Sequence, residues 1–306
     1  MYATYSKGLQ KKKYKFQNIL LLLLSSSWAF LGMAQANTEV FVLTLNVTSE
    51  GLDFSDLQNI SNNPGYDNQP SFYNDNLLLF SSTRNSQTDI AAYYRNKDSL
   101  QWKTNTPNGS EYSPLKIPGK KAFSAIRLDK DGTQLLYEYN WLNGDSRVLL
   151  KKLKVGYHVW YSPDILVSAV LVDNRMDLVV SNLKDGTNYT FQKNVGRSLH
   201  KIPNSELISF ISNEGDGLQI KSMNPISGAT KLLAALPPGV QDICWLINGT
   251  ILAGKDNSLL GLSPEAGESQ WKVLTEFPKN KISNISRITP NAISGKLALV
   301  AEIPSN

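Results

Sequence analysis

One cysteine and two histidines are all that 306 residues supply of the side chains most often recruited for disulfides, metals and acid–base chemistry. A lone Cys244 rules out an intramolecular disulfide, so the fold rests on its apolar core. Lying beside Trp245 and far from the N-terminus, Cys244 reads as a small buried apolar residue, and no cysteine follows the leader to carry a lipid. A nucleophile–base triad would have to use His158 or His200. His158 lies in Tyr157-His158-Val159-Trp160 and His200 in Leu199-His200-Lys201, both strand-like, and each reads as a hydrogen-bonded structural histidine. No Gly-x-Ser-x-Gly elbow and no Gly-Lys-Ser/Thr phosphate loop occur. Amphipathic helices of any length are missing, as is any apolar stretch after residue 36 long enough to span a bilayer.

The positive charge is also confined. The chain carries 31 Lys and Arg against 26 Asp and Glu, a net charge of +5. Lys7, Lys11, Lys12, Lys13 and Lys15 account for all of the excess. They precede the apolar run Ile19–Leu24, extended by Trp28–Leu31, and Ala34-Gln35-Ala36 places small residues where a signal peptidase reads. Residues 1–36 therefore read as a secretory signal peptide cut after Ala36. An anchor fits less well, because Ser25, Ser26 and Ser27 interrupt the run. The remaining chain, 37–306, is balanced in charge and has no net field to draw nucleic acid or anionic lipid. The expected product is periplasmic or secreted, with no membrane span after cleavage.

What the sequence has in quantity is a repeated strand pattern. Phe72 to Phe80, Arg127 to Tyr137 and Trp160 to Val170 each run from a strand through a polar turn into an apolar strand. Weaker copies start at Lys201, Trp245 and Arg287. Units of about 40–45 residues with four strands each are the mark of a β-propeller. Asp131-Gly132, Asn143-Gly144, Asp185-Gly186 and Asn248-Gly249 supply hairpin turns. Blade one is expected at Gln69–Tyr73, Asn76–Ser82, Asp89–Tyr94 and Leu100–Lys103. Blade two is expected at Phe123–Leu128, Gln134–Asn140 and Arg147–Leu153, with its fourth strand unassigned. Blades three, four and five follow over 158–192, 198–235 and 242–276. The last unit has only Ser286–Ile288 and Lys296–Glu302, while Glu39–Asn46 and Ser55–Ile60 stand unused at the other end. The expectation is all-β: a six-bladed β-propeller filling 37–306 and closed by N- and C-terminal strands, which leaves only short protected strand edges and no room for a second domain. A β-sandwich is the alternative, but it explains neither the repeat nor the incomplete last unit.

Tyr161-Ser162-Pro163-Asp164 and Asp129-Lys130-Asp131-Gly132-Thr133 resemble the aromatic-Ser-Pro-Asp-Gly turn of TolB-like propeller repeats. The segment from Ser81 through Arg84 and Asp89 to Ile90 resembles the continuation of that repeat. The resemblance implies a six-bladed periplasmic WD40-like propeller that acts by binding other proteins. TolB carries an additional N-terminal α/β domain, whereas here the first strand is expected a few residues after the cleavage point.

Candidate chemistry is sparse. Asp129, Asp131 and Gly132 begin like a calcium loop, but the twelfth position is Asn140 where a Glu is needed, and a hairpin turn explains the same residues. Propeller lyases that act on pectin fragments hold metal with several histidines, more than this chain has. Asn-x-Ser/Thr sequons at Asn46, Asn59, Asn108, Asn188, Asn248 and Asn284 would accept sugar in a eukaryotic secretory protein, and otherwise reflect an Asn- and Ser-rich composition. Phe72, Arg127, Trp160, Lys201, Trp245 and Arg287 fall at like places in the six units. If they converge at the channel mouth, they offer cation–π and charge-assisted contacts to an anionic or extended ligand. If not, the aromatics pack between blades and the basic stems lead to solvent. The expected function is that of an exported, monomeric, non-catalytic propeller binding a protein or cell-envelope component, with neither cofactor nor metal nor nucleic acid. The alternative is a carbohydrate-active lyase or hydrolase working in the channel.

Overall fold

The computed structural model describes residues 37–48, 51–264, 267 and 270–304. The proposed signal peptide, 1–36, lies outside them. The chain enters as β1 (Glu39–Thr48) and β2 (Gly51–Asn59), which wait for partners from the far end. Blade one is β3 (Asp67–Asn74), β4 (Leu77–Arg84), β5 (Gln87–Tyr94) and β6 (Ser99–Trp102). Blade two is β7 (Gly109–Lys116), β8 (Ala122–Asp129), β9 (Gln134–Asn140) and β10 (Ser146–Leu150). Blade three is β11 (Val155–Trp160), β12 (Ile165–Val172), β13 (Arg175–Asn182) and β14 (Thr187–Gln192). Blade four is β15 (Val195–Lys201), β16 (Ile208–Ser212), β17 (Gln219–Met223) and β18 (Thr230–Ala235). Blade five is β19 (Ile243–Trp245), β20 (Ile251–Lys255), β21 (Ser258–Leu262) and β22 (Lys272–Glu276). β23 (Ser283–Pro290) and β24 (Lys296–Glu302) complete blade six with β1 and β2, in the order β2-β1-β24-β23.

Ring closure follows the expected strand pairing. β1 runs antiparallel to β24 from Glu39↔Ala301 to Thr44↔Lys296. Val40, Phe41, Val42, Leu43 and Leu45 of β1 are all buried. Each junction between blades has its own apolar core. Val40, Val42 and Val300 meet Leu78, Phe80 and Tyr93 between blades six and one. Cys244 is wholly buried between blades five and six beside Leu252, Leu297 and Leu299, and burial pushes its thiol pKa well up. Among the described residues no helix is long and apolar enough to cross a membrane.

Blade two needs one correction. Its fourth strand is β7, the innermost one, at Gly109–Lys116. Its sequence, GSEYSPLK, lacks the apolar alternation that marks a strand with one buried face. It also contains Pro114, which removes a ladder donor. The fold accommodates the proline with a bulge: Ser113 takes φ 52° and the register with β8 shifts between Tyr112 and Leu115. Gln69-Pro70 in β3 repeats the device, with Gln69 at φ 56° and a shift between Asn68 and Ser71.

Candidate functional site

The innermost strands surround a cavity of about 490 Å3 on the propeller axis. Its walls come from all six blades: Gln69 and Ser71, Ser113 and Leu115, Tyr157 and Val159, Arg197 and Leu199, Asp242, and Arg287. Pro203 and Asn204 from the β15–β16 turn, Ile247 from the β19–β20 turn and Asn291, Ala292 and Ser294 from the β23–β24 turn, which also carries the exposed Ile293, form its rim. Adjacent strands in a blade are antiparallel, so these first-to-second-strand turns share one face of the ring. A second cavity of about 270 Å3 lies toward the opposite face, lined by Gln241, Lys255, Asp256 and Asn284. The two cavities share Arg197, Asp242, Arg287 and Ile288, which therefore form a waist between them.

The waist is charged and aromatic. The Arg287 guanidinium sits 5.0 Å over the Tyr157 ring, and its Nη1 lies 4.0 Å from Asp242 Oδ2. Arg197 Nη2 donates to the Ser286 carbonyl at 2.8 Å, reaching from blade four to blade six. Tyr66 packs edge-on against Tyr112 with ring centroids 6.2 Å apart. Burial pushes the Tyr66 hydroxyl up to about 12, although Arg287 and Arg197 are near enough to pull it down. Burial also lowers the pKa of Arg197, and the positive charge of Arg287 adds to that effect. For Arg287, burial acts downward too, but Asp242, Tyr157 and Tyr66 together outweigh it and hold the pKa up. Arg197 Nε, Ser113 Oγ and Ser286 Oγ are buried without a hydrogen-bond partner.

Of the six residues singled out in the sequence, Lys201, Trp245 and Arg287 line this cavity. Trp245 also braces blades four and five, donating Nε1–H to Ser209 Oγ at 2.8 Å. Trp160 is buried in the junction between blades two and three, where its Nε1–H donates to Ser124 Oγ at 2.9 Å. Phe72 packs at the junction of blades six and one. Arg127 lies on β8, the second strand of its blade, with its guanidinium 3.8 Å over Tyr137 and its Nε 2.9 Å from Asp129. The Asp131-Gly132 turn beyond it joins β8 to β9 and is not the turn that follows the innermost strand. Missing β7 displaced the blade-two residue by one strand.

The waist residues that the sequence pattern left unnoticed are Tyr66, Tyr112, Tyr157, Arg197 and Asp242. Together with Arg287 they come one from each blade, at intervals of 40–46 residues. That spacing is the signal that would have found them. Both histidines line the large cavity and are hydrogen-bonded to serines. His158 Nε2 lies 2.7 Å from Ser124 Oγ, and burial pushes its pKa down to about 3. His200 Nε2 lies 2.9 Å from Ser198 Oγ, and burial lowers its pKa as well. Ser124 itself has no exposed surface. Among the described residues no three His, Cys, Asp or Glu side chains come together as a metal-binding set.

No protein-family model matches the sequence, and no curated protein matches it. The fold is shared with solved structures. A protein described as a TolB from Agrobacterium tumefaciens superimposes with a TM-score of 0.68 at 12% identity, over 88% of this chain and all of that one. TolB from Acinetobacter baumannii superimposes at 0.51 and 15% identity, over 62% of this chain and half of its own length. Oligogalacturonate lyase from Vibrio parahaemolyticus gives 0.50 at 10% identity, over 89% of this chain and 99% of that one. The chain thus has the TolB-like six-bladed propeller fold.

Proposed function

We propose that this protein is an exported, non-catalytic propeller that docks a protein or cell-envelope component on the face where the 490 Å3 cavity opens. The carrying observation is the rim of that cavity. Ile247 and Ile293 are 47% and 66% exposed, large apolar side chains held out beside a partly buried charged waist. Their turns are tied together. Asn204 Nδ2 donates to the Ile247 carbonyl at 3.2 Å, the Ile247 amide donates to Ser294 Oγ at 2.9 Å, and Asn291 Nδ2 donates to Asp75 Oδ1 at 2.8 Å. A rim fixed before contact loses little freedom when a partner settles on it. The TolB neighbours agree with a binding role. The basic, apolar and Ala-x-Ala sequence of residues 1–36 supports export.

The test is affinity capture from the native envelope with the wild-type protein and with an Ile247→Asp/Ile293→Asp variant, run beside turnover assays on polysaccharides and aryl glycosides. Capture of the same component by the wild type but not by the variant supports docking on this face. Equal capture by both would place the docking surface elsewhere. Turnover of an oligogalacturonate or another glycan would replace the reading with that of a carbohydrate-active enzyme. N-terminal sequencing of the exported product is expected to begin at Asn37, and an intact Met1 in the membrane fraction would overturn the export proposal.

A further inference from the structure

The waist holds two guanidinium groups and one carboxylate, and its hydrogen bonding is incomplete. Arg197 has a single hydrogen bond, from Nη2 to a neutral carbonyl, and its Nε–H is buried without an acceptor. Ser113 Oγ above the waist and Ser286 Oγ below it are likewise buried and unpartnered. Buried donors are rarely left unmade unless a water or ligand completes them. The net charge of the three ionised groups is +1, and the two arginines act against each other. An anion between them would satisfy Arg197 Nε and offset that repulsion.

We propose that the waist is a binding site for a single carboxylate, held between the guanidinium groups of Arg197 and Arg287. This function is separate from docking on the rim and goes beyond it. The Arg287 plane is already fixed against Tyr157, so one half of the site is preorganised. Charge selects a monoanion: Asp242 lies 4.0 Å from Arg287 and repels a second negative charge, which disfavours a phosphate dianion. The walls select an acid with a short apolar body. Leu115, Val159, Leu199 and Ile288 line the space, and its volume falls within the ~300–1,000 Å3 of small-molecule sites. Of the aromatic rings on the wall, Tyr157 is already engaged by Arg287.

Two sources of a carboxylate are open to test, a free organic acid and the C-terminus of a peptide. Thermal unfolding and the arginine Nε–H resonances are followed as the full protein is titrated with butyrate or with butyramide, which differ in charge but hardly in shape. The same titration is run with acetyl-Ala-Ala-Leu bearing a free or an amidated end. Butyrate is expected to raise the melting temperature and move the Arg197 Nε–H signal, while butyramide does neither. Arg197→Gln and Arg287→Gln are each expected to weaken butyrate at least tenfold. Arg197→Lys retains the charge and guards against loss of fold, and Lys231→Gln on the outer strand β18 is expected to change affinity less than threefold. A free-acid tripeptide binding ten times more tightly than butyrate assigns the site to a peptide terminus, and equal or weaker binding assigns it to a free acid. Equal responses to butyrate and butyramide, or an equal response to chloride at the same ionic strength, would overturn the proposal. So would butyrate binding that survives Arg197→Gln. None of these outcomes depends on the rim, so the docking proposal stands or falls separately through Ile247 and Ile293.

Discussion

Two kinds of polar brace can be compared at the propeller's blade junctions. Around blade one the junctions are acidic. Between blades six and one, Ser61 Oγ donates to Glu39 Oε2 at 2.5 Å and accepts the Val40 amide at 3.0 Å, beside buried Asp67. Between blades one and two, Thr104 Oγ1 is shared by Asp89 at 3.2 Å and Glu111 at 3.1 Å, and it accepts the Ile90 amide at 2.8 Å. The segments match: Thr38-Glu39-Val40 answers Thr88-Asp89-Ile90, and Gly65-Tyr66-Asp67 answers Gly109-Ser110-Glu111. Between blades two and three and between blades four and five the brace is an indole. Trp160 reaches back to Ser124, and Trp245 to Ser209, each from an innermost strand to the second strand of the blade before it. The difference decides what pH can reach. Burial, with a contribution from Glu39, pushes Asp67 up to about 6, and burial with a contribution from Asp89 pushes Glu111 up to about 7. The indole braces have no group that titrates in this range, because burial already holds His158 neutral.

The largest expected effect comes from removing the strand that closes the ring. Deleting Glu39–Thr48 leaves Leu297, Ala298, Leu299 and Val300 without the partner strand that pairs them on one edge. It also removes five buried apolar side chains worth about 1.5–3 kcal/mol each, comparable to the ~5–15 kcal/mol that holds a domain folded. No cooperative unfolding transition is expected by calorimetry, and an unchanged melting temperature would contradict closure by β1. Next in size is Trp160→Ala, expected to cost about 3–5 kcal/mol in denaturant unfolding, by the same amount at pH 5 and pH 8. A strong pH dependence of that cost would break the contrast between indole and acidic junctions.

Glu111→Gln is expected to act in the opposite direction. The folded-state pKa of Glu111 lies above its ordinary 4.5, so its favourable contribution is complete below about pH 4.5 and is lost as the pH rises through about 7. An uncharged Gln removes the repulsion from Asp89, while Tyr139 and Thr104 remain beside it. The variant is expected to be more stable than wild type by on the order of 2 kcal/mol at pH 8, with a flatter stability curve between pH 4.5 and 7. A wild-type curve that rises across that interval, and the same rise in the variant, would mean that Glu111 is not the titrating group.

Much of this architecture was legible because outer and middle strands announce themselves. Leu166–Val170 and Leu297–Val300 are buried on both faces and read as apolar runs, and the unused Glu39–Asn46 pointed to closure. The innermost strands were harder for a physical reason: one side faces the axis. There β7 presents Glu111, Ser113 and Pro114, and blade six offers Ser286 and Arg287, so burial and polarity no longer coincide. The axial site suffered accordingly. Arg287, Lys201 and Trp245 line the cavity, each on the innermost strand of its blade. Arg127 was placed one strand outward by the unseen β7, and Arg197 and Asp242 carry no local motif beyond their spacing.

The placement of the docking face is tested most directly by hydrogen–deuterium exchange with and without the captured envelope component. Protection is expected in the turns that rim the large cavity, 203–206, 247–250 and 291–295, which are linked through Asn204, Ile247 and Ser294. Protection confined to 239–242 and 254–256 at the opposite cavity, or to the outer strands β14 and β18, would contradict it.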